Sequence, residues 1–169
     1  MSTMTATMNP DEQAEAKSIG QAIQKLRIAM LTLAEDGQQL SARPLTVADH
    51  NEGVLRFMVD KTAHWVPHAA TGAAVNLSFS DPSSGIFVSL SGRSSVSHDR
   101  TQIDALWSPA DSAFFEDSSD PRIAILEVQV DEGEYWTGPG NGAALGVKMA
   151  AKAMGFDVSM GEKGPVQPR

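Results

Sequence analysis

The stretch AVNLSFSDPSSGIFVSLSGRSSVS, residues 74–97, is written with a period of two on either side of a turn. In its second half Ile86, Val88 and Leu90 alternate with Phe87, Ser89 and Ser91, which sends the two sets to opposite faces of a strand. Between the halves, Asp81-Pro82-Ser83-Ser84-Gly85 is a turn: Pro presets its backbone angle, Asp and Ser bond their own main chain, and Gly takes the conformation others avoid. Strands joined by so short a connection lie antiparallel.

The same grammar extends outward. Residues 27–34 (RIAMLTLA) read as a strand, Glu35-Asp36-Gly37-Gln38 as a turn centred on Asp-Gly, and residues 39–47 as its returning partner. A polar turn over 48–53 leads to a strand at 54–59 with Leu55, Phe57 and Val59 on one face. Downstream, Asp99 opens a short helix to Leu106, residues 109–115 suit another, and residues 122–130 alternate Ala124, Leu126, Val128 and Val130 with more polar partners. A last short strand runs through Tyr135 and Trp136. Helical spacing of Ile19, Ala22, Ile23 and Leu26 predicts an opening helix over 11–25, and Asn141 caps a closing helix over 142–154 ended by Gly155.

Strands following strands exclude the regular alternation of a Rossmann sheet and predict a mainly β (α+β) fold. It is a closed or nearly closed antiparallel barrel of six or seven strands with peripheral helices. One domain spans 11–155, between a loose N-terminal tail at 1–10 and a C-terminal tail at 156–169.

The 169 residues suffice for one self-supporting core. With no cysteine there is no disulfide, thiolate nucleophile or cysteine-held metal, which suits a reducing compartment. Thirteen basic against twenty-one acidic residues give a net charge of −8, which repels a nucleic-acid backbone. No basic, apolar leader occupies residues 1–15 and no apolar run is long enough to span a bilayer, so a cytoplasmic protein without membrane or nucleic-acid partners is expected.

Several motifs have ordinary explanations. Ser97-His98-Asp99 holds the residue types of a hydrolase triad, but consecutive strand residues point to opposite faces, and Asp99 suits a helix cap. His64 and His68 have ligand spacing, yet Pro67 interrupts their turn and no third ligand follows, so no metal is expected. Glu116, Asp117 and Asp120, and likewise Asp131, Glu132 and Glu134, are assigned to solvated loops. Gly138-Pro139-Gly140-Asn141-Gly142 lacks the Lys-Ser/Thr of a P-loop and reads as a turn before a helix. No catalytic acid, base or nucleophile is identified.

Four ordered segments carry a family likeness: SARPLT (41–46), LRFMVDKTAH (55–64), NLSFSDPSSGIFVSLSG (76–92), and residues 103–115 followed by Glu134-Tyr135-Trp136. Over roughly residues 14–139 the chain resembles the general stress protein branch of the pyridoxamine 5′-phosphate oxidase-related family, FMN-binding split β-barrels. The resemblance implies a homodimer with FMN, or alternatively FAD, at the subunit interface. The implied flavin-binding residues are Arg43, Pro44, Leu45, Phe57, Met58, Val59, Thr62, His64, Phe87 and, from the partner subunit, the residue corresponding to Trp136. Arg43 and Thr62 suit the phosphate, and Phe57, Met58, Phe87 and Trp136 suit the ring.

The chain departs from the family's oxidases at Ala48, where they carry Lys, and at Ala63-His64, where they carry Arg-Lys. No Arg- and His-containing segment that would grip pyridoxal phosphate follows Trp136, so oxidation of vitamin B6 is not supported. The expected function is a stress-related FMN protein, either a flavin-dependent oxidoreductase of unspecified substrate or a non-enzymatic module that sequesters flavin or haem.

Overall fold

The computed structural model describes residues 26–36, 39–51, 53–83, 85–137 and 158–160. Its strands are β1 (Ile28–Glu35), β2 (Gln39–Asn51), β3 (Val54–Asp60), β4 (Thr71–Asp81), β5 (Ile86–Ser97), β6 (Ile123–Thr137) and β7 (Val158–Met160). Short helices α1 (Val66–Ala69) and α2 (Arg100–Leu106) and a 3₁₀ turn (Pro109–Ala113) lie between them. The sheet order is β3-β2-β1-β4-β5-β6-β7, and β3 also pairs with β6, closing six antiparallel strands into a barrel. Closure satisfies both edges of β3. β7, within the segment assigned from sequence to the C-terminal tail, pairs parallel with Gly133, Glu134 and Tyr135 of β6.

Alternation decides what faces inward. Leu31 and Leu33, Leu55 and Phe57, Leu77 and Phe79, and Leu126 and Val128 fill the barrel, each at most 3% exposed. The opposite face of β6 is also covered. Ile123 and Ile125 join Ile103 and Phe115 in a second cluster, with Met58, Leu106 and Trp107 packed against it. Ile123 and Ile125, on the side of this strand expected to be the more polar, are therefore buried, while Glu127 and Gln129 continue that side as polar residues.

Two expectations need correction. The separate strands at 122–130 and 135–136 are one strand, with Asp131, Glu132 and Glu134 inside it rather than in a loop. Its register with β5 shifts between Gly92, opposite Val130, and Ser91, opposite Glu132, which makes Asp131 the extra residue of a bulge. A Cβ at Gly92 would fall well inside contact distance of the Gln129 carbonyl oxygen, so glycine is what lets the strands meet there. Asp120, expected to be solvated, is buried and bound by Arg122.

Asp99 caps α2 as the sequence indicates, its carboxylate accepting the Thr101 N–H at 2.9 Å. The helices expected at 11–25 and 142–154, and the glycine-rich segment 138–142, lie outside the described residues. No helix among the described residues is long and apolar enough to cross a membrane.

Candidate functional site

A cleft of about 390 Å³ opens where β2 and β3 leave the barrel wall. Pro44, Leu45, Thr46, Val47 and Ala48 of β2 form one side, and Met58, Val59 and Asp60 of β3 the floor. Ala63 and Trp65 close one end, and Leu106, Ser108, Ala110, Asp111, Phe114 and Phe115 form the opposite wall. Sequence dictates this shape locally. Pro44 sits on β2 with an exposed outer face, and the register slip between Val47 and Asp49 turns Ala48 into the cleft rim. The far wall is held by polar clasps: Asp111 accepts both the N–H and the hydroxyl of Ser108, at 2.8 and 2.7 Å.

Arg122 anchors the same wall from below. Its Nη2 and Nε donate to the two oxygens of Asp120, at 2.7 and 3.2 Å, while Nη1 reaches Asp60 at 3.3 Å. Its guanidinium lies 5.8 Å from the Phe115 ring centroid. The donation from Arg122, first through its side chain and then through its backbone N–H, holds the Asp120 carboxyl at about 2.

Of the residues implied by the family likeness, Pro44, Leu45, Met58 and Val59 meet in this cleft. Phe57 does not; its ring is fully buried in the barrel core. Arg43 points to the barrel end, where its Nη2 bonds Glu35 and Ser41 and its plane lies 4.6 Å from the Trp65 ring centroid. Its Nε is buried without a partner. The Ser41 hydroxyl first, and then Arg43, bring the Glu35 carboxyl down to about 2. His64 Nε2 stands 3.4 Å from the same carboxylate.

Thr62 is likewise engaged. Both its N–H and its hydroxyl donate to Asp60, at 2.9 and 2.6 Å. The N–H groups of Lys61 and Ala63 go to the carbonyls of Arg122 and Asp60, so residues 61–63 offer no free backbone cradle for a phosphate. Phe87, 43% exposed, lies on another face of the barrel. It pairs in register with Trp136, whose strand position alone is described.

That other face carries no charge among the described residues where β1 pairs with β2 and β4, and Glu134 and Glu132 of β6 bound it beside Ser89 and Ser91 of β5. Ile28, Met30 and Thr32 of β1 stand directly beside Thr46, Pro44 and Ala42 of β2. Met30 and Thr32 also face Ser78 and Asn76 of β4, which continue to Ser89 and Ser91 of β5. Pro44 and Thr46 belong both to this face and to the cleft.

Sequence reasoning missed Arg27, Trp65 and the wall at 106–115. Their helical and turn character was legible, but their meeting with β2 and β3 depends on barrel closure. Asp60 and Asp111 line the cleft and are committed to Thr62 with Arg122 and to Ser108, respectively. Among the described residues no group of three or more His, Cys, Asp or Glu is placed to hold a metal ion.

The family described as pyridoxamine 5′-phosphate oxidase like matches residues 14–157. Among solved structures, a general stress FMN/FAD binding protein from the phytopathogen Xanthomonas citri is 27% identical, with a TM-score of 0.64 over 76% of this chain and 92% of that one. A general stress family protein from Xanthomonas campestris pv. campestris is also 27% identical, with a TM-score of 0.64 over 79% and 93%. A protein related to general stress protein 26 from Clostridium acetobutylicum shares the fold at 16% identity, with a TM-score of 0.65 over 75% and 89%. No curated protein matches the chain.

Proposed function

This chain belongs to the pyridoxamine 5′-phosphate oxidase-like family, and on that premise we propose that it is a cytoplasmic, stress-related protein that binds FMN as a homodimer. The observation that carries the reading is the convergence of Pro44, Leu45, Met58 and Val59 in one cleft of about 390 Å³, within the range of small-molecule sites. Met58, Trp65, Phe115 and Pro44 offer apolar surface to a flat ring system. The Xanthomonas citri relative, an FMN/FAD binding protein by name, supports flavin as the ligand and leaves FAD as the alternative nucleotide.

Bound there, the flavin would supply electron-transfer chemistry, and the chain's own residues would bind it, orient it and limit water access. A second copy packed on the face around Met30 and Pro44 would cover the cleft mouth, because Pro44 and Thr46 are common to both. In that assembly the partner's Trp136 would approach the ring.

Whether electrons are passed on divides two versions of the reading. One is a flavin-dependent oxidoreductase. The other is a sequestering module, favoured by the commitment of both cleft carboxylates to neighbouring groups, which leaves neither as an idle acid or base. Titration of the purified protein with FMN should saturate near about one equivalent per chain, with light scattering giving a dimer. A protein that ignores added flavin refutes the proposal. Consumption of NAD(P)H above that of free FMN separates enzyme from carrier.

A further inference from the structure

We infer that Arg27 is the anion-holding residue of the cleft, gripping the phosphate monoester of the bound flavin from the strand opposite Ala48. The inference rests on the flavin reading above and adds to it a residue that the family likeness does not assign.

Position comes first. The Arg27 carbonyl accepts the Val47 N–H at 2.8 Å, which fixes Arg27 beside the bulge of β2. Arg27 and Ala48 line the same cleft, and Arg27 is the one cation among the described lining residues. It is exposed, and among the described residues neither an ion pair nor a side-chain hydrogen bond engages it.

The other guanidinium groups near the cleft are already committed, and Lys61, between Asp60 and Ala63, does not line it. Arg43 is bound to Glu35, and Arg122 to Asp120 and Asp60. A dianion approaching Arg43 would have to displace an ionised carboxylate from it, whereas at Arg27 it displaces only water. A free guanidinium meets a phosphate with two parallel charge-assisted bonds. Its placement at the rim leaves the apolar floor at Met58 and Val59 for the ring.

Flavin affinity measured by fluorescence quenching tests this with two probes, FMN and riboflavin, which differ only in the phosphate. Arg27→Ala is expected to weaken FMN about tenfold or more and riboflavin by less than about twofold, the loss of a charge-assisted contact. Arg27→Lys should keep most of the FMN affinity, and Ala48→Lys added to Arg27→Ala should restore part of it from the neighbouring strand position. If FMN and riboflavin lose affinity equally, or FMN binding is unchanged in Arg27→Ala, the assignment is overturned and the flavin reading stands. If the wild-type protein binds neither probe, the flavin reading falls and takes the assignment with it.

Discussion

The Arg43 guanidinium lies over the Trp65 ring, 4.6 Å from its centroid, with its outer nitrogen on Glu35. This stack shuts one end of the barrel: Trp65 belongs to the core cluster while also ending the cleft. Trp65→Ala should therefore cost about 3–5 kcal/mol of stability, as for other large aromatic truncations. Urea denaturation followed by circular dichroism measures it, and an unchanged midpoint would mean that the ring is not a core residue.

Acid should unfold the protein through two carboxylates. Glu35 and Asp120 are each held at about 2, below their ordinary 4.5 and 3.8. A depressed carboxyl adds stability that is complete above its ordinary value and is lost as pH falls toward its folded value. Melting temperatures taken from about pH 6 down to about pH 2.5 should fall less steeply in Glu35→Gln and in Asp120→Asn than in the wild type. Arg122→Met should raise the Asp120 carboxyl, which a carbonyl-carbon NMR titration reads directly.

Gly92→Ala places a methyl against the backbone of Gln129 and Val130, which cannot swing aside as a side chain could. Destabilisation of about 1–3 kcal/mol is expected for such overpacking. Amide exchange at Gln129 and Val130 should quicken with it. Unaltered exchange there would show that the strands do not approach so closely.

Met30→Glu sets a carboxylate among the neutral residues where β1 meets β2 and β4, between Pro44 and Ser78. In a two-fold assembly each copy carries the new charge, so like charges meet or nearly meet. Light scattering should show half the wild-type mass with the melting temperature of the isolated fold retained. Persistence of the dimer would place the interface elsewhere.

Much of the barrel was legible because alternation writes burial directly into the chain. Leu55, Phe57 and Val59 read as one face and are one face. The 122–137 stretch was harder. Ile123 and Ile125 are apolar for a reason that lies far away, the cover supplied by Ile103 and Phe115, and a bulge hides the continuity past Asp131. At the candidate site, Pro44, Leu45, Met58 and Val59 were readable from the family likeness. Arg43 looked available because its partner, Glu35, lies across a hairpin, and Arg27 looked ordinary because nothing local marks the end of a strand as a cleft rim.

β6 changes company along its length: its first half bonds β3 and β5, and beyond the bulge the β3 side gives way to the three residues of β7. The β3–β6 seam thus ends at the bulge, and beyond it that edge of β6 is covered by a short parallel patch. Gly133, Glu134 and Tyr135 are where an added strand would find the edge of β6. There, a lost Val158–Met160 would leave unsatisfied amides facing the next molecule.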